Sequence, residues 1–332
     1  MIPGKGTSRL RPDLGAVVTE GMIANAPMHG YIASVMAPYF PVAVQSATFP
    51  VLPLKALFNA ESARRASGTA YNRVTEAFES GFYATEERGL EMPVDERHRS
   101  MYASYLDLEL AAANIVQDKV LREFEVQVAT KLHKAGAFES ATAATAWSDH
   151  ANADPRKDII AAIKSMRTNG VLPNTLQLSW ETYQDLIQCK RVQEAVYAIF
   201  PDAMKSGHIS VDHLRAYLDI DILVAGAMRN TANKNKAPHL ADIWPATQAL
   251  LCRVAPQGAD ITEPSIARTF LWNEGASGEV IVEDYYEEQV RAQLIRVRHD
   301  IDVRMIKSYD DSGNVLSDVS RACGMFITAI KA

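Results

Sequence analysis

Asp95 to Lys134 is a run with neither proline nor glycine, and it constrains the fold more than any other feature of this 332-residue chain. Asp95 and Glu96 suit the positive end of a helix, Leu121, Phe124, Val128 and Leu132 recur at three- and four-residue steps, and Gly136 stops the pattern. At 1.5 Å per residue such a helix spans about 60 Å, more than the diameter of a small domain. A second apolar stripe of Leu106, Leu110, Ala113, Val116 and Val120 predicts contact with protein along most of that length, with a bend near Asn114. The alanine run at 111–113 and the lack of steady heptads favour a helix lying across a sheet over a coiled coil.

The segments before this helix cannot bury themselves. Residues 1–30 hold five glycines and three prolines with little periodic apolar pattern, so they read as an extended arm without a core. From Ile32 to Pro53 the prolines at 38, 41, 50 and 53 exclude a helix and leave extended chain. A polar interval, Asn59 to Asn72, and a returning stretch, Arg73 to Pro93, complete a hairpin-like loop. A loop of that length with so few large apolar side chains must pack on another surface, and we read it as an interaction loop rather than a floppy insertion.

Beyond the helix the elements are short. Asp154 and Pro155 open a helix ending at Gly170, Thr175 to Leu178 reads as a strand, and Ser179 caps a helix through Leu186. A helix from Arg191 to Phe200, another capped by Ser210, and a buried strand at 220–224 follow. Strands are then expected at Gln248–Val254, Thr269–Trp272, Glu279–Tyr286 and Met325–Ile330, with a long alternation from Gln293 to Lys307. Asp310 to Asn314 reads as a hairpin turn; it lacks the terminal Glu of a calcium loop.

Composition narrows the function. Thirty-four basic against 40 acidic residues give a net charge of −6, which argues against a protein built to grip phosphates. Cys189, Cys252 and Cys323 are too far apart for a C-x-x-C pair and read as reduced thiols. There is no apolar h-region and no run of about 18 apolar residues, so a soluble chain, intracellular when made, is expected. No Walker loop, dinucleotide fingerprint, H-E-x-x-H or nucleophile elbow is present. His208 and His213 are spaced for capping or surface roles rather than metal. We therefore expect no catalytic, cofactor-binding or metal residues and no enzyme. The acidic cluster Glu283, Asp284, Glu287 and Glu288 reads as a solvated patch or subunit contact, and Arg291, Arg296, Arg298 and Arg304 as partners in intersubunit ion pairs. At the loop tip, Arg64, Arg65, Gly68, Tyr71, Asn72 and Arg73 are candidate contact residues, their charges directed at acids of a neighbour such as 283–288 or Asp95 and Glu96.

The order of these pieces resembles the major capsid proteins of tailed bacteriophages, the Hong Kong 97 type. The resemblance spans nearly the whole chain and rests on ASVMAPYFPVAVQSATFPVL, RRASGTAYNRV, YLDLELAAANIVQDKVLREFE, DPRKDIIAAIKSMRTNGVLPNTLQLSWETYQDL and DILVAGAMRNTANKNKAPHLADIW, in the family's order. It implies an α+β fold with an N-terminal arm (1–40), an extended loop (41–94), a peripheral domain with a long spine helix (95–205 and 278–310) and an axial domain (206–277 and 311–332). It also implies self-assembly through pentamers and hexamers into an icosahedral shell that confines viral dsDNA without specific binding. The expected partners are a separate scaffold protein, a portal and a decoration protein, with no membrane; the expected place is the virion, after assembly in the host cytoplasm. No matched Lys and Asn pair for a covalent cross-link can be placed. The rival readings are a hydrolase with a helical lid formed by 95–135, and a tail or tube protein.

Overall fold

The computed structural model describes residues 9–11, 30–54, 58, 63–65, 67, 70–71, 73, 78–233, 236–274, 278–310 and 312–331. Strand β1 (Arg9–Leu10) comes first, then a single helical turn, α1 (Ala33–Met36), β2 (Tyr39–Pro41) and β3 (Ser46–Val51). The turn α1 corrects the expectation of fully extended chain from Ile32. No proline lies between Ile32 and Ala37, so Met36 N and Ala37 N can donate to Ile32 O and Ala33 O at 2.9 and 2.8 Å before the prolines take over.

The returning stretch divides at Thr85 into β4 (Glu79–Ala84) and β5 (Glu86–Asp95). Strand β4 pairs antiparallel with β3 from Ser46↔Ala84 to Val51↔Glu79, which gives the loop its two limbs. Residues 86–94, assigned to the loop on sequence, belong instead to a different sheet, described below.

The expected single helix is two. Asp95 caps α2 (Glu96–Tyr102), and Asp107 caps α3 (Leu108–Leu132) by accepting from Glu109 N at 3.0 Å and Leu110 N at 3.3 Å. The break therefore falls at 103–107, not near Asn114, because a carboxylate that satisfies two orphan N–H groups starts a new helix without proline or glycine. Helix α3 alone is about 38 Å long.

After β6 (Glu139–Thr142), Asp154 and Pro155 open α4 (Pro155–Thr168) as expected, and β7 (Thr175–Ser179) runs into α5 (Trp180–Gln188). Helices α6 (Lys190–Ile199), α7 (Pro201–Ser206) and α8 (Val211–Leu218) follow, the last opened by a reciprocal cap between Ser210 and His213. The remaining chain forms β8 (Asp221–Ala225), β9 (Met228–Asn230), β10 (Leu240–Asp242), β11 (Ala249–Cys252), β12 (Arg268–Leu271), β13 (Ile281–Glu287), β14 (Ala292–Arg304), β15 (Lys307–Tyr309), β16 (Val315–Asp318), a turn of helix α9 (Val319–Ala322), and β17 (Gly324–Thr328).

These strands make four sheets. In the six-stranded sheet the long strand β14 carries β5 on one edge and β13 then β12 on the other; β1 adds to β13 and β2 to β12. Ala112, Ala113, Val116 and Val120 of α3 pack on its face against Val94, Val282, Ile295 and Val297, the small alanines allowing close approach. Phe124, Val128 and Leu132, further along α3, enter a second and larger core. Leu106, expected in the second stripe, sits in the break and is exposed.

That larger core surrounds a five-stranded sheet in the order β6-β17-β11-β7-β8. Strand β7, buried at every position, bonds β11 on one side and β8 on the other. The division of the chain expected at 205/206 thus cuts through one sheet, because the helices α5 to α8 are a crossover between parallel β7 and β8 rather than part of a separate domain. The other two sheets are the loop sheet, β16-β15-β4-β3, and the hairpin β9–β10.

Candidate intersubunit surfaces

The loop sheet is anchored by aromatic side chains. Phe270 of β12 stacks on Tyr83 of β4 at 4.6 Å between ring centroids and lies 5.0 Å from Phe49 of β3. Gly81 leaves room for this, since a Cβ there would stand 2.5 Å from the Phe49 ring. Phe82 alternates to the opposite face and is exposed, as is Phe78 just before β4. Farther out, the Phe58 ring lies against Gly170, whose φ of +84° and lack of Cβ permit the contact.

At the loop tip Arg64, Arg65 and Arg73 are exposed. The Arg65 guanidinium lies 4.5 Å from the ring centre of Tyr71, which is 72% exposed, so these two predicted residues are brought together. Gly68 and Asn72 lie outside the described residues.

The acidic cluster divides. Glu283 and Asp284 are buried and neutralised within the chain: Glu283 accepts from Arg298 at 3.0 Å and stands 3.7 Å from Arg296, while Asp284 pairs with Arg11 at 3.2 Å. Register is the cause, because β13 lies antiparallel to β14 with Glu283 opposite Arg296. These two acids are corrected from surface acceptors to structural partners. Only Glu287, half-buried, and Glu288, exposed, remain at the hairpin end of β13.

The expected intersubunit role of the arginines changes in the same way. Arg298 touches Glu274, Glu283 and Asp300 at 3.0, 3.0 and 3.3 Å; Arg296 touches Glu91 at 3.1 Å, Arg304 Asp302 at 2.5 Å and Arg291 Glu96 at 3.4 Å. All four are paired inside the subunit. Asp95 is committed too: its carboxylate accepts from Arg97 N and His98 N, bonds that hold its pKa below the ordinary carboxylate range.

Sequence reasoning did not find the apolar edge at the helix break. Met101, Tyr102, Tyr105 and Leu106 are exposed there, Tyr105 at 86%. The signal was Asp107 followed by Leu108 and Glu109, an N-cap with an acid in the first turn, which marks a helix start. Apolar groups exposed beside one another in this way mark contact surfaces.

Chemistry offers little else. Among the described residues no three His, Cys, Asp or Glu side chains converge as a metal site. All three cysteines are free and buried, and burial pushes the thiols of Cys189 and Cys323 up to about 12 and raises that of Cys252, so none is a ready nucleophile. Among the described residues no helix is long and apolar enough to cross a membrane.

No family model and no curated protein matches this chain. Solved structures do. A phage-related protein from Bordetella bronchiseptica RB50 aligns at a TM-score of 0.68 with 17% identity over 98% of both chains. The virus-like particle from Pyrococcus furiosus aligns at 0.54 with 10% identity, over 95% of this chain and 98% of that one. The capsid of a native GTA particle aligns at 0.51 with 11% identity over 90% of each. The fold is the Hong Kong 97 type. With that, the fold implied by the resemblance in sequence is confirmed at near full length. In this Hong Kong 97-type chain the six-stranded sheet bears α3 on one face, the loop sheet projects from it through the Phe270 cluster, and the five-stranded sheet builds the other end.

Proposed function

We propose that this chain is a major capsid protein whose copies assemble through pentamers and hexamers into an icosahedral shell enclosing viral dsDNA. The observation that carries the reading is the near full-length likeness to proteins of a virus-like particle and of a GTA capsid at such low identity. The exposed loop tip and the apolar edge at 101–106 support it, since both offer surface that a lone subunit has no use for. Individually weak contacts suffice in a closed shell, because engaging one neighbour raises the effective concentration at the next.

On this reading the role is structural rather than catalytic. The five-stranded sheet with α4 to α8 is the axial part, the six-stranded sheet with α3 the peripheral part, and β3 with β4 the base of the extended loop. The proposed place is the virion, after assembly in the host cytoplasm. The proposed partners are further copies, a scaffold protein, a portal and a decoration protein, with DNA confined by a negatively charged wall.

Negative-stain microscopy of the expressed full-length protein tests this. Closed particles are expected. A small oligomer at every concentration would overturn the reading in favour of an enzyme, and stacked rings in favour of a tail tube.

A further inference from the structure

Helix α2 is amphipathic in the inverted sense. At about 100° per residue, Glu96, Arg99 and Ser100 share one side, while Arg97, His98, Met101 and Tyr102 share the other. The polar side is the one that meets its own chain: Arg291 reaches Glu96 at 3.4 Å and Arg99 reaches Glu109 at 3.0 Å. The side with the apolar groups points away, and no residue of the helix is buried.

That outward side continues past the end of the helix. Tyr105 N and Leu106 N both donate to Tyr102 O, at 2.9 and 3.0 Å, and their exposed side chains prolong the stripe begun by Met101 and Tyr102. A helix of seven residues draws its stability from packing of its apolar side, and here a single subunit leaves that side in water. Arg97 lies on the same side as Met101 and, among the described residues, has no ion-pair partner in its own chain.

The matching surface lies at the same end of the six-stranded sheet. Strands β13 and β14 are joined by an exposed turn, residues 288–291, held beside α2 by Glu96 N donating to Arg291 O at 3.3 Å. Glu288 and Val290 are exposed in this turn, Glu287 is half-buried at its edge, and neither acid has an ion-pair partner among the described residues. The turn thus offers two carboxylates beside an apolar group, and the outward side of α2 offers a cation beside apolar groups. Phosphate is disfavoured as the occupant because those acids flank the helix. The open face of the loop sheet is a poorer match, since the charged group over the Phe82 ring is Arg304, a cation like Arg97.

We propose that the outward side of α2 docks on the β13–β14 turn of a second copy, with Arg97 against Glu287 and Glu288 and the Met101–Tyr102 stripe against Val290. The inference deepens the shell reading and rests on it for the identity of the partner. Each copy carries both halves, so the contact is head-to-tail: one copy's turn fills the next copy's helix, and the series closes into a ring where the rotation allows.

The test co-expresses two full-length chains, one with Met101→Cys and one with Val290→Cys, and treats them with a short bis-maleimide; the native cysteines are buried. Dimers on a denaturing gel should appear from the pair and not from either chain alone. Arg97→Glu in both chains should lower their yield about fivefold while the thermal transition stays unchanged, and adding Glu287→Arg with Glu288→Arg should restore it. Absence of dimers, equal dimers from a single chain, indifference to Arg97→Glu, or failure of the double reversal to restore the yield would each overturn the proposal. Loss of the dimer on reversing Arg64 and Arg65 but not Arg97 would assign the acids to the loop tip and overturn it too. Microscopy of the unsubstituted protein separates the two readings: particles without cross-linked dimers sink this contact alone, and dimers without particles sink the shell and leave the contact standing.

Discussion

The Glu125 carboxylate accepts the indole N–H of Trp244 at 2.6 Å and, with the same two oxygens, the backbone N–H groups of Ile32 at 3.0 Å and Ala33 at 2.9 Å. One buried side chain of α3 thus ties down the N-terminal segment and the root of the β9–β10 hairpin. Burial raises the pKa of this carboxyl, while the three donors oppose the shift.

Glu125→Ala leaves three buried donors without their acceptor and should destabilise the unassembled subunit by about 3 to 5 kcal/mol. Glu125→Gln keeps one acceptor oxygen and should cost less. Urea unfolding of both variants checks the order, and an alanine variant as stable as wild type would show that the junction is held elsewhere.

Acid should loosen the subunit through two histidines. Burial lowers the pKa of His133 and of His299 to about 4, the latter helped by the charge of Arg88. Both folded values lie below the unfolded value of about 6.5, so their share of stability is complete above that pH and is lost as pH falls from 6.5 towards 4, by up to about 3 kcal/mol per ring. Glu125, with its pKa raised, acts in the opposite sense and favours the folded state at low pH. His299 packs edge-on to Phe124, so His299→Phe should fill the site and flatten the decline by one ring's share, measured as urea midpoints at pH 7 and pH 5. An unchanged slope would remove His299 from the account.

Gly30 and Gly226 lie in contact, with Gly30 at φ +64° and the position of a Cβ on it only 2.4 Å from Gly226 N. Both the left-handed backbone and the missing space reject a side chain. Gly30→Ala should therefore lower stability by more than about 2 kcal/mol, where an exposed glycine in the same conformation, such as Gly207, should lose only about 1. Equal losses in thermal unfolding would mean that the close approach relaxes freely.

Reversing the loop tip separates folding from assembly. Arg64→Glu with Arg65→Glu should leave circular dichroism and the thermal transition of the subunit nearly unchanged, since exposed charges contribute little to it. Particle yield should collapse, because the reversed charge recurs at every equivalent contact. Normal particles would show that the loop works through its limbs alone.

Local signals in the sequence were easy to read. Asp154 with Pro155, Ser179 and Ser210 placed three helix starts, and the alternation after Gln293 placed β14, because caps and side-chain period are written within a few residues. Non-local facts were harder. Glu283 and Asp284 look like surface acids until β14 lies beside them and Arg296 and Arg298 come into reach, and register is not visible from one strand alone. The sheet that spans residue 205 was hidden for a related reason: parallel β7 and β8 are separated by four helices that read as a unit of their own. Of the candidate contacts, the Arg65 and Tyr71 pair is local and was in view, whereas Glu125 as a junction depends on Ile32 and Trp244, distant in sequence on either side.

The sheet pairings also set an order of events during synthesis. Strand β1 pairs with β13 at Asp284 and Glu283, and β2 pairs with β12 at residues 269–271. Pairings between such distant segments form late, and the ribosome delivers the N-terminal partner first. The front of the chain must wait, unpaired, until almost all of the rest has emerged. A chain that ends before residue 268 lacks β12 and β13 and cannot complete the six-stranded sheet, so the last third of the sequence decides whether the first strands find a place at all.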